Sequence, residues 1–405
     1  MRKRMVKWMA FCGLLFISIT ATAQNANDSC SLEISLLTCA PGTDLYSLFG
    51  HTAIRVRDRQ RGMDVVYNYG TFDDSDPLFY FHFTRGIMVY SLSAETFDNF
   101  MSEYEYDHRA VISQTLNLSC EQKKALYASL RENTTESNRY YNYQFYNDNC
   151  TTRAGKIIVA NSSQPLQFEN ILPDPQPTYR QLIHVYLDRQ KQWWSGFGID
   201  MLLGSHMDKK TGNEDAIYFL PDYLMTGFDH ARTAAGPLVW NKQNILQFPE
   251  SKTSATWITP LSVFIFLFLF SILLTLISWR WTRTSLQIFD IVLFSVLGII
   301  GLVMLYLWLV RVDIVCRNNI NILWALPTHI IAVFFLRKRP RWLMYYFLIT
   351  AIFAALLLVG FAWWPQQMNR AVIPLLLIII FRSIQQYLKG SHAKDRESFR
   401  AANPV

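Results

Sequence analysis

The sequence has no C-x-x-C pair and no closely spaced histidines, so none of the ligand spacings of a zinc site occurs in it. Six cysteines in 405 residues are too few for a dense disulfide framework, and no internal repeat or low-complexity tract is present. No metal and no other cofactor is expected. Charged residues make up only 17% of the chain, and the net charge of +7 calls for no nucleic-acid partner, because much of the basic excess flanks apolar runs.

Those runs divide the chain near residue 257. Before it, charged residues, prolines and aromatics mix as in a globular domain. After it, apolar segments long enough for a bilayer of about 30 Å recur. Five spans are expected: Ile258 to Ser278, Leu286 to Val310, Ile320 to Leu336, Leu343 to Phe361 and Ala371 to Leu388. Basic residues follow the first (Arg280, Arg283), separate the third from the fourth (Arg337, Lys338, Arg339, Arg341) and follow the fifth (Lys389, Lys394, Arg396, Arg400). The connections 311–319 and 362–370 carry fewer and should face outward. Residues 1–23 read as a secretory signal: Arg2, Lys3, Arg4 and Lys7, an apolar run from Trp8 to Ile19, then Ala21-Thr22-Ala23. The expectation is a multi-pass inner-membrane protein with domain 24–257 exported, a five-helix region 258–388 and a cytoplasmic tail 389–405.

In the exported part, alternation predicts strands over 31–38, from His51, over 65–69, 87–93 and 109–118, and Ser119 caps a helix over 120–133. A Pro-rich stretch, 165–177, breaks the domain, and "WWSGFGIDMLLGSHMD" and "FLPDYLMTGF" predict a helical, aromatic appendage before the membrane. In an oxidising compartment Cys30 has Cys39 or Cys120 as a disulfide partner.

Chemistry is suggested by two stretches roughly a hundred residues apart. "FGHTAIRV" sets His51 at the mouth of a half-buried strand, and "NDNCTTRAGKIIVA" sets Cys150 where a loop turns into a helix. A thiol is a useful nucleophile only as thiolate, and a histidinium or a helix N-terminus lowers its pKa. Cys150 is the candidate nucleophile and His51 its base. Asn68 in "YNYG" is the candidate for orienting the imidazole, with Tyr67 as rival. Asp148, Asn149 and Arg153 flank the cysteine and are candidates for positioning or substrate binding, against the ordinary reading of a turn and a solvated arginine. Cys39, a rival nucleophile, ends an apolar strand with no helix after it. Arg85 and Arg109 are candidates for a phosphate, Asp200 and Asp208 for orienting an amine, and His329 with Asn318, Asn319 and Asn321 for a lipid groove. Each has a packing or capping alternative.

A strand histidine in "HTAI" followed much later by "NC" at a helix start resembles the permuted papain-like group that includes the lecithin retinol acyltransferase relatives. Thr52 and the run Thr151-Thr152-Arg153 depart from that group's patterns. The blocks "LLTCAPGTDLYSLFGHTAIRV", "YNYGTFD", "YNDNCTTR", "FGIDMLLG", "FLPDYL" and "NNINILWALPTH", in this order, resemble the Lnb-type lipoprotein N-acyltransferases of Bacteroides-like bacteria. The resemblance implies an α+β permuted papain-like (NlpC-like) cysteine domain followed by an all-α five-helix transmembrane domain. It also implies transfer of a fatty acyl chain from a membrane phospholipid, through a thioester on Cys150, to the N-terminal amine of a diacylglyceryl-cysteine lipoprotein. The alternatives are a membrane-anchored cysteine hydrolase of peptidoglycan peptides and a non-catalytic envelope binding protein.

Overall fold

The computed structural model describes residues 30–44, 46–72, 77–162, 165–249, 256–277 and 280–402; the expected signal at 1–23 lies outside them. Strands β1 (Leu32–Cys39), β2 (His51–Asp58), β3 (Met63–Thr71), β4 (Val89–Thr96), β5 (Val111–Leu116), β6 (Tyr140–Asn142) and, after a two-residue hairpin β7 (Arg232–Thr233) and β8 (Gly236–Pro237), β9 (Val239–Leu246) are present. Seven of them form one antiparallel sheet in the order β6-β4-β3-β2-β1-β5-β9.

β1 and β2 occupy its centre, and nearly every residue of β1 is buried because both sheet faces are covered. On one face Ile34, Leu36, Ile54, Val56 and Tyr67 pack with Leu126 and Leu130 of the helix Cys120–Asn133, Ala154 and Ile158 of the helix Cys150–Ala160, and Leu224 and Phe228 of the helix Pro221–Asp229. On the other, Leu37, Cys39, Ala53 and Val66 meet Phe100, Met101 and Tyr104 of the helix Phe97–Tyr106. A capping box from Ser119 starts the Cys120 helix, as its sequence predicts. Cys30 bonds to Cys120 rather than Cys39, and closing 90 residues of chain stabilises the fold by about 4–5 kcal/mol in the chain-entropy view.

The appendage is helical only in part. Helices Tyr179–Arg189, Trp193–Leu202, Asn213–Ile217 and Pro221–Asp229 build a second core around Leu182, Ile183, Tyr186, Met207 and Phe219. The chain then returns to the sheet as edge strand β9, which the helical expectation missed.

The membrane region also departs from expectation. Among the described residues three helices are long and apolar enough to cross a bilayer: Thr284–Val310, Arg341–Val359 and Val372–Ser391. The first expected span is a helix of 17 residues, Pro260–Leu276, somewhat under the roughly 20 a bilayer needs. The third is broken into a 3₁₀ turn, Ile320–Leu323, and a seven-residue helix, His329–Phe335. Pro327 sits at the break; its missing N–H and ring oppose a continuous helix there. Between two of the long helices, Arg382 and Asp290 form a buried bidentate pair at 2.7 and 2.8 Å, with Thr275 accepting from the same guanidinium at 2.8 Å. Charges in an apolar bundle persist when paired in this way.

The sheet domain docks on the two connections that the charge pattern places outside. Arg311 donates to the Phe83 carbonyl at 2.8 Å, Val312 N–H to Arg85 O at 3.0 Å, and Gly204 N–H to Val315 O at 2.8 Å. A Cβ on Gly204 would lie 1.7 Å from the Arg317 carbonyl oxygen, so only glycine permits this approach. Asn319 donates to Met201 O at 2.6 Å, Asn321 to Asp200 O at 3.0 Å and Gln366 to Leu203 O at 3.0 Å. Asp200 itself receives Arg180 at 3.0 Å, His184 at 2.9 Å and Asn369 at 2.8 Å.

Candidate active site

Cys150 is the first residue of its helix. Asn149 caps that helix by accepting from the Thr152 N–H at 2.9 Å, and its amide donates to the carbonyls of Phe145 and Phe219, both at 2.9 Å. Asn149 is thus fully used in holding the turn, which leaves the sulfur at the positive end of the helix. A buried pair of hydroxyls, Thr52 and Thr151 at 3.1 Å, joins β2 directly to the helix start. These two threonines, departures from the permuted papain-like pattern, help to fix the distance between the strand and the thiol.

His51 opens β2 and Asn68 lies on the neighbouring β3. The Nε2–H of His51 donates to Asn68 Oδ1 at 2.6 Å, which leaves Nδ1 for the Cys150 side chain. The Asn68 amide also hydrogen-bonds to the carboxyl of Glu95 on β4, so its oxygen is turned toward the imidazole. Glu95 was not among the sequence candidates. Its signal is the pairing of β3 with β4, which sequence alone does not register. Tyr67, the rival to Asn68, points to the opposite face, as the period of two along a strand requires, and packs edge-on against Tyr127 at 6.4 Å.

The electrostatics favour an ion pair. Burial pushes the Cys150 thiol up, but the His51 cation, its hydrogen bond, the Thr52 N–H and the Thr151 hydroxyl together hold it below its ordinary 9.0. Burial likewise disfavours the imidazolium, yet the Cys150 thiolate and the hydrogen bonds to Cys150 and Asn68 raise His51 above 6.5. Cys150 is free of any disulfide. Gly70, at φ +95°, sits at the junction of the site: a Cβ there would lie 3.6 Å from Cys150 Cβ, 3.8 Å from His51 Cε1 and 3.8 Å from Tyr143 Cε2. Those distances are ordinary contacts, so it is the positive φ that calls for glycine.

The remaining candidates go elsewhere. Cys39 is fully buried, which pushes its thiol up to about 12 despite a hydrogen bond from Tyr104 and the nearby Arg109. Asp148 and Arg153 pair with each other at 2.7 Å through both oxygens, and Arg153 lies 3.6 Å over the Tyr141 ring. Arg109 is buried and donates to the Ala40 carbonyl at 2.9 Å. Asp200 and Asp208 both accept from the buried Arg180, as in their capping or packing alternative. His329 is buried against Phe294 and bonds to the Tyr346 hydroxyl at 2.7 Å, while Asn319 and Asn321 hold the sheet domain, so these residues make the packing contacts of their alternative reading.

Among the described residues no cluster of His, Cys, Asp or Glu has the makings of a metal site. A cavity of about 400 Å³ near the disulfide is lined by Cys30, Arg59, Thr115, Lys123 and Trp240 among others. None of the Cys–His–Asn group borders it. Concentrated ionisable chemistry marks a site better than empty volume does, and here it marks Cys150.

Residues 20–185 match the family model of the Lnb N-terminal periplasmic domain, and residues 251–394 match that of the Lnb transmembrane domain. The chain belongs to the Lnb family. It is therefore a membrane protein whose N-terminal domain is periplasmic. No curated protein and no solved structure matches the chain. In this Lnb protein the Cys–His–Asn group falls wholly within the matched periplasmic domain.

Proposed function

We propose that this Lnb protein is a lipoprotein N-acyltransferase that works through a thioester on Cys150, its periplasmic domain having the permuted papain-like fold. The observation that carries the reading is the Cys150–His51–Asn68 alignment at a helix N-terminus, in a domain hydrogen-bonded to the membrane region beneath it. The Cys150 thiolate attacks the carbonyl carbon of a phospholipid ester. A C–S bond forms, the ester C–O bond breaks, and the departing lysophospholipid oxygen takes the proton held on His51 Nδ1. The N-terminal amine of a diacylglyceryl-cysteine lipoprotein then attacks the thioester; a C–N bond forms, the C–S bond breaks, and the amine proton passes to His51 as the thiolate is restored. No cofactor enters either step.

Anchoring supports the same reading. Both substrates reside in the membrane, so a catalytic domain fixed to that membrane meets them at high effective concentration. A multi-pass topology with a cytoplasmic C-terminus accords with this placement. The test is to incubate the purified protein with phospholipid vesicles and a diacylglyceryl lipopeptide and to follow the peptide by mass spectrometry. The peptide should gain one acyl chain on its amine, and Cys150→Ser should abolish the gain. Cleavage of peptidoglycan peptides without acyl transfer would instead establish the hydrolase, and an inert but folded protein the binding role.

A further inference from the structure

An aromatic ladder runs between the reactive thiol and the membrane. Tyr143, separated from Cys150 only by the gap that Gly70 leaves, lies 4.4 Å from the Tyr90 ring. Tyr90 stacks on Phe72 at 5.1 Å, and Phe72 on Phe79 at 5.4 Å, both at 23°. All four rings are half-buried. Phe79 begins the short helix Phe79–Arg85, which exposes Phe81 and Phe83. That helix is seated on the end of the apolar span Thr284–Val310: Thr84 meets the Tyr306 hydroxyl at 3.3 Å, and its last carbonyls accept from Arg311 and Val312.

The geometry points to a binding site for one linear fatty acyl chain along Tyr143, Tyr90, Phe72 and Phe79. The inference rests on the acyltransferase reading and assigns the donor chain its path. A chain leaving the bilayer must keep its methylenes out of water until the ester carbonyl reaches the thiol. A run of four stacked aromatic rings, continuous from the membrane contact to the Cys150 site, provides that cover along its flank, and the hydroxyls of Tyr90 and Tyr143 supply polarity only toward the reacting end. The absence of any side chain on Gly70 keeps the last step of the path open.

The test uses the full-length protein and measures how fast the Cys150 thioester forms, by intact mass, from palmitoyl phosphatidylethanolamine vesicles and from soluble dihexanoyl phosphatidylcholine. The readout is the ratio of the two rates. Tyr90→Ala should lower the palmitoyl-to-hexanoyl ratio at least tenfold, whereas Tyr90→Phe, which keeps the ring face, should stay within about threefold of wild type. Phe72→Leu covers the case in which Tyr90→Ala does not fold, and should lower the ratio at least threefold. An unchanged ratio in these variants overturns the ladder, as does a fall in Tyr90→Phe equal to that in Tyr90→Ala. If wild type forms no thioester with either lipid, the acyltransferase reading itself has failed and the ladder falls with it.

Discussion

Two buried thiols sit at neighbouring ends of secondary structure and behave in opposite ways. Cys39 closes β1, directly across from His51 in the strand register, and Cys150 opens a helix. Burial drives the first up to about 12. It presses on the second too, yet the His51 cation and three further polar contacts win and the thiol falls below 9.0. Proximity to a histidine along the sheet is therefore not what lowers a thiol's pKa. The imidazole must turn its free nitrogen to the sulfur, and here Asn68, held by Glu95, sets that rotation.

The comparison can be broken by substitution. Cys150→Ser should cost at least about a thousandfold in acyl transfer, because the intermediate has no sulfur on which to form; mass spectrometry of the lipopeptide product reads this directly. His51→Ala should lower turnover by about a hundredfold to ten-thousandfold. It also reverses the electrostatic balance, since burial then acts unopposed by the cation. The pH midpoint for alkylation of Cys150 by iodoacetamide, below 9.0 in wild type, should move above it. In wild type the thiolate is favoured below the ordinary thiol value of 9.0, and the imidazolium is favoured above the ordinary imidazole value of 6.5. Alkylation should thus survive at pH values where an ordinary thiol is inert, and acyl transfer should fall as pH rises through the His51 pKa above 6.5.

Smaller effects sharpen the contrast. Asn68→Ala should reduce turnover by about tenfold to a hundredfold through loss of imidazole orientation, with the alkylation midpoint rising because one contact that favours the imidazolium is gone. Cys39→Ala should leave acyl transfer within about threefold of wild type and cost about 1 kcal/mol of stability, measured by chemical denaturation. A large activity loss in Cys39→Ala without a stability loss would erase the distinction between the two thiols.

Much of the site was legible because its signals are local. The polar residues around Cys150 announced a loop-to-helix junction, and the alternation after His51 announced a strand. The choice between Tyr67 and Asn68 was also open to reading, since adjacent strand residues face opposite ways and Tyr67 belongs with the apolar set. Glu95 was not legible, because it acts through a strand pairing. Nor was the clamp of Arg180, Asp200 and Asp208, which forms only as the appendage folds, or Asn369, which joins it from a membrane loop. Strand β9 carries mixed polar residues on an exposed edge and so shows only weak alternation. In the membrane region hydropathy marked five apolar segments, but hydropathy is blind to Pro327 and to the amide-rich run before it, which turn one of them into a break.

The most direct measurement is the intact mass of the full-length protein after exposure to phospholipid vesicles without an acceptor. The account predicts an added mass of one acyl chain, removed by hydroxylamine and mapped to Cys150. A protein that transfers acyl chains while its Cys150 remains unmodified, or that carries the adduct on Cys39, would contradict it.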